Sequence, residues 1–591
     1  MSDDHLLEAV FGAAVQGAIS QPAAVNVRSW LTRPEYAEYV PIIAAHIREG
    51  NWKGLDEAFW TVVPFGTAGR RGRMYPIGTA TINDRTIGES AQGLADYVLD
   101  LRSAGRGLPD GPRVAIAYDT RHRSRHFAEL CAEIMTAADF EVFLFNDFRP
   151  TPELAITVCA KSCDCGIMIS ASHNPPSDNA IKVFWSTGGQ LNVPHDAEVI
   201  RRVAEVRSIS RRPFAEGLAS GQIQYCQNEM DRRYHEAVLA QGFDGPRDLK
   251  ILYSPLHGVG TTSIEPILNA AGFDDLEVFG PHATPDGDFP NVPQHVANPE
   301  NPAVFDAPIA RAESIDADVV LASDPDADRI GVAARVSPGG PFRTLGGNQI
   351  GVLLADYVLQ RRRAAGRLSA EHFVVTTLVS TDMLRRVADH HGIRCFDDCY
   401  TGFKWIGATI DREGPARFVF GFEEAHGYLA GDYIRDKDGA VAALLLSQLA
   451  AECKAAGLTL HQRLKDLYRR VGYHLEKTTA LTMPGANGMA RMQEIMTRLR
   501  SAPPATIGGL AVRNVRDYLT CTDRPKADLL VFDLDGGNRA AVRPSGTEPK
   551  IKFYLFASEP PERSQDSAAA AKVLSERIGC MDADFLRFGS L

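Results

Sequence analysis

Apolar positions recur at helical spacing through the first sixty or so residues. Tyr36, Tyr39, Val40, Ile43 and Ala44 share one face, and Leu55, Phe59 and Trp60 another, which predicts a helical segment over residues 1–60. Pro64-Phe65-Gly66-Thr67-Ala68-Gly69 then breaks the pattern. Beyond it, short β-rich runs alternate with helical segments, the pattern of α/β domains. The most apolar helical stretch, Ala440–Ala451, is interrupted by Ser447 and Gln448. It is too short to span a bilayer and reads as a buried helix.

One hydrophobic pattern occurs twice. Leu94-Ala95-Asp96-Tyr97-Val98-Leu99 returns as Leu354-Ala355-Asp356-Tyr357-Val358-Leu359, and each copy is followed by Ala-Gly-Arg at Ala104-Gly105-Arg106 and Ala365-Gly366-Arg367. An apolar strand-like run comes next, Val114–Ala117 or Phe373–Val375. It opens into a polar loop, Asp119-Thr120-Arg121 or Ser380-Thr381-Asp382. Two amphipathic helices could resemble each other by chance. Recurrence of helix, glycine stop, strand and polar loop in one order favours two domains on one plan. Between them, Leu249–Tyr253 leads to Ser254-Pro255-Leu256-His257-Gly258, and Asp318–Ala322 leads to an acidic loop. Boundaries are expected near Gly242–Arg247, Ser337–Pro341 and Val471–Tyr473, giving domains at 61–245, 246–342, 343–470 and 471–591. The last carries strands of its own at Leu529–Leu534 and Ile551–Leu555.

Composition narrows the function classes. The chain has 591 residues, 45% hydrophobic and 23% charged, with a formal net charge of −11 at pH 7. That excludes wholesale disorder and argues against a whole-chain nucleic-acid or anionic-membrane binder. The acidic, polar start at Met1-Ser2-Asp3-Asp4-His5 lacks the pattern of a signal peptide. Ten cysteines are sparse for this length, and neither Cys163-Asp164-Cys165 nor Cys395…Cys399 has a second pair at zinc spacing. Reduced thiols and a cytoplasmic location are expected.

Five loops carry candidate chemistry. Ser170-Ala171-Ser172-His173-Asn174-Pro175-Pro176 follows the apolar run Gly166–Ile169 and so lies at a strand's C-terminal end, where α/β sheets bind ligands. The Asn-Pro-Pro turn is expected to project Ser172 outward as a nucleophile or phosphate carrier; a plain turn is the alternative. Asp324-Pro325-Asp326-Ala327-Asp328-Arg329 puts three carboxylates on one tight loop, where they repel unless a hard cation such as Mg²⁺ joins them. An EF-hand is disfavoured by Arg329 and Arg335 at its sixth and twelfth positions, and Asp286-Gly287-Asp288 reads as a turn. Arg543-Pro544-Ser545-Gly546-Thr547 offers backbone N–H groups, hydroxyls and a guanidinium to an anion, or is a surface β-turn. Gly421-Phe422-Glu423-Glu424-Ala425-His426-Gly427 offers paired carboxylates to sugar hydroxyls, or is a solvated turn. Phe65–Gly72, glycine-rich with Arg70 and Arg71, could approach a phosphate. The set fits phosphoryl transfer to a hydroxylated substrate, and no Walker A or Rossmann glycine motif supports nucleotide use.

These loops, in this order, resemble the α-D-phosphohexomutase superfamily of phosphoglucomutases and phosphomannomutases. The N-terminal extension and Glu423-Glu424-Ala425 most resemble its long phosphoglucomutase/phosphopentomutase branch. The resemblance implies an α/β fold of four domains in a heart shape, three related and a smaller C-terminal α+β domain. It implies that Ser172 is the phosphoserine and that Asp324, Asp326 and Asp328 bind Mg²⁺ with it. Arg71, His173, Lys182 and Arg329 would surround the transferring phosphoryl group. Glu423 would hold sugar hydroxyls with Thr401, Gly402 and Lys437, while Arg543, Ser545, Gly546 and Thr547 would grip the other phosphate. Glucose 1-phosphate is the expected substrate, with glucose 1,6-bisphosphate as intermediate and activator. A pentose 1-phosphate is the alternative, and mannose 1-phosphate ranks third. A phosphatase or a silent sugar-phosphate binder are rivals from other classes. The partner is expected to be a small sugar phosphate, with no nucleic acid or membrane, and the chain a monomer or weak homo-oligomer. Ala425 and Gly427 depart from the serine and histidine of many relatives, and Arg70 replaces a commonly apolar residue without an evident role.

Overall fold

The computed structural model describes residues 3–65, 69–483, 485–544 and 550–590. The backbone forms two compact units. The first comprises Met1–Gly242, Lys250–Ile330 and Tyr433–Leu444; the second comprises Phe243–Leu249, Gly331–Asp432 and Leu445–Leu591.

The first unit begins with helices at Asp3–Val15, Gln21–Thr32, Val40–Arg48 and Trp52–Phe59. Ser20 and Asn51 cap two of them through their side-chain oxygens. Trp30 is the hub of this bundle, stacked on Tyr36 at 4.6 Å between centroids and edge-on to Phe59 at 5.2 Å. Tyr36 and Tyr39 were expected on a helix and instead lie on a 3₁₀ turn, Pro34–Tyr39. Pro34 and Pro41 flank it and lack the backbone donors of a continuous α-helix. Both tyrosines remain buried.

A six-stranded sheet follows: β1 Gly69–Arg73, β2 Arg113–Tyr118, β3 Glu141–Leu144, β4 Cys165–Ile169, β5 Asp178–Trp185 and β6 Ile223–Tyr225, in the order β1-β5-β4-β2-β3-β6. β4, β2, β3 and β6 run parallel, while β5 is antiparallel to both β4 and β1. The helix Asp84–Ser103 starts with a reciprocal cap between Asn83 and Thr86 and buries Leu94, Ala95 and Val98 against the sheet. Period-two alternation on β1 separates its arginines. Arg70 turns inward, donating to Val63 O at 3.1 Å, Thr86 O at 2.9 Å and Glu89 Oε2 at 3.1 Å. Its role is structural: it ties the strand to that helix. A second parallel set, β7 Ile251–Ser254, β8 Leu276–Val278 and β9 Val319–Ser323, completes the unit, with β7 central.

The second unit holds the hairpin of β10 Ile330–Arg335 and β11 Phe342–Leu345. Next come β12 Phe373–Thr377, β13 Arg394–Cys399, β14 Phe418–Glu423 and β15 Gly427–Ala430, ordered β13-β12-β14-β15 with β13, β12 and β14 parallel. The repeated hydrophobic pattern has a physical basis here. Helix Gly347–Ala364 leads to the central strand β12 as Asp84–Ser103 leads to β2. The final segment is an antiparallel sheet of β16 Tyr473–Thr482, β17 Thr506–Ile507, β18 Leu510–Asp517, β19 Leu530–Leu534, β20 Arg539–Pro544 and β21 Lys550–Glu559. Helices Gly485–Ser501 and Ser567–Ser590 cover it, with Phe585 stacked on Phe553 at 5.1 Å. The fold is therefore α/β, with three sheets flanked by helices followed by a sheet-rich α+β segment.

The apolar run Ala440–Ala451 lies buried within helix Gly439–Ala455, as expected. Among the described residues, no single helix is long and apolar enough to cross a membrane. All ten cysteines are free thiols.

Candidate active site

The parallel strands of the first unit deliver their C-terminal loops to one place. After β4, Ser170 Oγ accepts the Ser172 N–H at 2.9 Å, and Ser172 adopts a left-handed backbone at φ 52°. Its Oγ donates to Asp324 Oδ2 at 2.6 Å and lies 3.3 Å from His173 Nδ1. The expectation of an outward serine needs correcting. Ser172 is only 2% exposed, because its side chain turns into the carboxylate loop rather than to solvent. Arg71, on the face of β1 opposite Arg70, donates to Asn174 Oδ1 at 3.2 Å.

That carboxylate loop follows β9. Ala327, at φ 50°, tightens it, and its N–H bonds Asp324 O at 3.0 Å. Asp324, Asp326 and Asp328 are buried and each offers an oxygen within 4.8 Å of the others. Lys182, on β5, places Nζ 2.5 Å from Asp326 and 3.8 Å from Asp328. Thr151 donates to Asp326 at 2.8 Å. Lys437, expected to assist Glu423, is ion-paired with Asp328 at 2.9 Å and Asp436 at 3.6 Å. Arg329 donates its backbone N–H to Asp324 at 3.1 Å, and its guanidinium stands 3.8 Å from Asp328 and 2.5 Å from Glu300. By contrast, Asp286-Gly287-Asp288 is a turn, closed by the Asp288 N–H on Asp286 Oδ1 at 2.8 Å.

The donor set fits a hard divalent cation. All the donors are oxygens, and Asp326 Oδ1 and Asp328 Oδ1 are buried without a hydrogen-bond partner among the described residues. Burial, then the neighbouring Asp328 and Asp326 charges, holds Asp324 well above the ordinary carboxylate range. Burial acts the same way on Asp326, but the Lys182 ammonium overrides it and draws that carboxyl down. Burial, with the Arg329 and Arg71 guanidiniums, holds His173 well below the usual imidazole value, which favours its neutral form.

The second unit carries the remaining loops. Glu423 ends β14, is 8% exposed, and accepts the Gly402 N–H at 2.7 Å. Beside Gly402, Thr401 Oγ1 is buried with no hydrogen-bond partner among the described residues. Glu424 accepts Ser380 Oγ at 3.0 Å and Thr377 Oγ1 at 3.4 Å. Burial, then the Glu423 charge, pushes its carboxyl up to about 7. His426, at φ 63°, is buried and turns the chain into β15. Arg543 lies near the end of β20, opposite Lys552 of β21. Ser545, Gly546 and Thr547, and Gly66, Thr67 and Ala68, lie outside the described residues.

Sequence reasoning missed Arg121, whose buried guanidinium serves the Ser172 loop. In sequence it is only one residue of the polar loop Asp119-Thr120-Arg121. It also missed Asp438, which accepts Tyr234 Oη at 2.8 Å and Tyr433 Oη at 2.5 Å beside Lys437.

Fold and site together define a multidomain α/β enzyme of the phosphoryl-transfer class. Three family descriptions match in succession: the phosphoglucomutase/phosphomannomutase α/β/α domains I, II and III, over residues 63–210, 232–338 and 346–471. The chain belongs to the phosphoglucomutase/phosphomannomutase family. It is 34% identical over 519 residues to a phosphoglucomutase of Staphylococcus epidermidis, covering 85% of this chain and 92% of that one. A Staphylococcus aureus phosphoglucomutase is 32% identical over 525 residues, 84% and 90% of the two chains. Among solved structures, the parafusin phosphoglucomutase of Paramecium, in an open form, superposes with TM-score 0.63 at 18% identity, over 88% of this chain and 94% of that one. A phosphoglucomutase/phosphomannomutase family protein of Burkholderia thailandensis gives 0.62 at 19%, over 88% and 98%. These two show a shared fold.

Proposed function

We propose that the chain interconverts glucose 1-phosphate and glucose 6-phosphate, with Ser172 as phosphoryl carrier and glucose 1,6-bisphosphate as bound intermediate and activator. The observation that carries this reading is Ser172 Oγ at 2.6 Å from Asp324, among three buried carboxylates and two lysines. Asp324, Asp326, Asp328 and the Ser172 oxygen would hold Mg²⁺, which when bound would neutralise charge on the phosphoryl oxygens.

The chain's own residues do the rest. A substrate hydroxyl attacks the phosphorus of phosphorylated Ser172; the new P–O bond forms as the P–Oγ bond breaks. The hydroxyl proton leaves to a base, for which neutral His173, next to Oγ, is suited. Lys182, Arg71 and Arg329 offset the negative charge spreading over the phosphoryl oxygens. The bisphosphate turns over, and its other phosphoryl group returns to Ser172, leaving the isomeric monophosphate. Glu423, Thr401 and Gly402 hold sugar hydroxyls. Arg543, Ser545, Gly546 and Thr547 hold the phosphate that is not reacting. Thr401 Oγ1, buried without a partner among the described residues, is a donor waiting for such a hydroxyl.

The test is isomerisation of glucose 1-phosphate against ribose 1-phosphate, with Mg²⁺ and glucose 1,6-bisphosphate. A kcat/KM preference for glucose 1-phosphate of about tenfold or more, equal to about 1.4 kcal/mol, supports the assignment. The reverse preference would recast the Glu423 loop as a pentose site. Steady release of inorganic phosphate without isomerisation would instead make the chain a phosphatase.

A further inference from the structure

Arg121 follows the end of β2 and is 3% exposed. Its guanidinium is directed at a single stretch of backbone. Nη1 donates to the carbonyl oxygens of Pro175 at 2.7 Å and Asp178 at 3.1 Å. Nη2 donates to those of Ser172 at 2.5 Å and of Asn174. All four terminal N–H bonds are therefore committed to the loop that carries Ser172. The guanidinium is itself held: Nε faces Asp119 Oδ2 at 3.4 Å, and the group lies over the Phe289 ring at 5.0 Å. Asp119 is fixed in turn by Ser124 Oγ at 2.7 Å and the Arg121 N–H at 3.0 Å.

The loop needs such a partner. Four carbonyl oxygens converge on one buried point, where they repel each other and require donors. Pro175 and Pro176 have no N–H to contribute. Ser172 occupies a left-handed conformation at φ 52°, which a non-glycine residue keeps only where its surroundings enforce it. A planar fork with paired donors spans four acceptors, whereas a lysine ammonium, a point charge with three donors, does not.

We propose that Arg121 is a positioning residue for phosphoryl transfer, fixing the backbone of residues 172–178 so that Ser172 Oγ stays at the Asp324 carboxylate. This rests on the reading of Ser172 as the phosphoryl carrier. A displacement of about 1 Å at a reacting group costs on the order of 100-fold in rate. Arg121→Lys should therefore lower kcat by roughly 100-fold, while KM for glucose 1-phosphate moves by less than about threefold. The second readout is phosphorylation of Ser172 itself. Dephosphorylated full-length enzyme is mixed with glucose 1,6-bisphosphate, quenched over time and weighed by intact mass spectrometry, with the site mapped by peptide analysis. The unaltered chain should take one phosphate on Ser172, and Arg121→Lys should take it more slowly by the same factor as its kcat. Equal rates in the two chains overturn the role of Arg121 and leave the mutase reading intact. A parent chain that takes no phosphate on Ser172 overturns both. If Arg121→Lys does not fold, Phe289→Leu loosens the guanidinium without removing a donor. It should lower kcat by at least about fivefold at unchanged KM, and an unchanged kcat there overturns the proposal.

Discussion

Removing the Lys182 ammonium should tighten divalent-cation binding and slow turnover at once. The three aspartates offer oxygens within 4.8 Å of one another. At an effective dielectric of about 20, two ionised carboxylates at that spacing would repel by roughly 3–4 kcal/mol, a repulsion that adds to burial in holding Asp324 above the ordinary carboxylate range. Lys182 Nζ stands 2.5 Å from Asp326 and 3.8 Å from Asp328. On the same scale those contacts attract by about 7 and 4 kcal/mol before desolvation is counted. Without a divalent cation, then, Lys182 and Lys437 are what make the triad tolerable, and an arriving cation must compete with them. Breaking a buried ion pair by deleting one partner typically costs about 3–5 kcal/mol. In Lys182→Met that cost falls on the cation-free state. The cation-bound state suffers less, since there the ammonium also repels the cation. If a third to a half of the cost is expressed as differential binding, about 1.0–2.5 kcal/mol, affinity rises roughly 5- to 70-fold. Calorimetric titration of the dephosphorylated chain with Mg²⁺ or Mn²⁺ reads this directly. With the cation saturating, kcat should fall by about 100- to 1000-fold, because the proposed function makes Lys182 a donor to the transferring group. Weaker or unchanged cation binding in Lys182→Met would refute this view of the triad.

Gly258→Ala should have the opposite effect on affinity: a Cβ there would lie 2.4 Å from Pro325 Cα and 2.6 Å from its carbonyl oxygen, so the carboxylate loop must shift. Cation affinity should weaken by about 10- to 100-fold, as for other losses of support behind metal ligands, and titration of the folded variant checks it. Ser172→Ala should lower mutase kcat by at least about 10⁴-fold and abolish phosphate uptake from glucose 1,6-bisphosphate; full activity would rule out the phosphoserine. Glu424, pushed up to about 7 in the folded chain, titrates near 4.3 when unfolded, so the native state binds more protons between those values. Its contribution to stability is therefore largest below about pH 4, declines as pH rises, and is flat above about 7. Glu424→Gln keeps an acceptor for Ser380 while losing the charge, so the decline in unfolding stability between about pH 4 and 7 should shrink; a decline that persists unchanged would assign it to another group.

The legible residues were those whose meaning is local. The Ser172 and Asp324–Asp328 loops each directly follow an apolar run, which marks them as strand C-termini, and three alternating carboxylates limit the chemistry almost by themselves. The repeated Leu-Ala-Asp-Tyr-Val-Leu pattern was readable because one helix–strand plan imposes one apolar stripe twice. The residues that went unread depend on which strands become neighbours. Arg70 and Arg71 are adjacent in sequence, and only the pairing of β1 with β5 sends one to the helix and the other to Asn174. The burial of Ser172 and the place of Lys437 at Asp328 likewise require folded geometry, since each partner lies far along the chain. Arg121 is the clearest case. As Asp119-Thr120-Arg121 it is merely a polar loop, one of many. Once β2 is paired in parallel with β4, their two C-terminal loops lie side by side, and an arginine on one can collect the carbonyls of the other. Chemistry-bearing residues in this fold thus announce themselves by type and spacing. The residues that aim them are ordinary in type and acquire their role only from strand order.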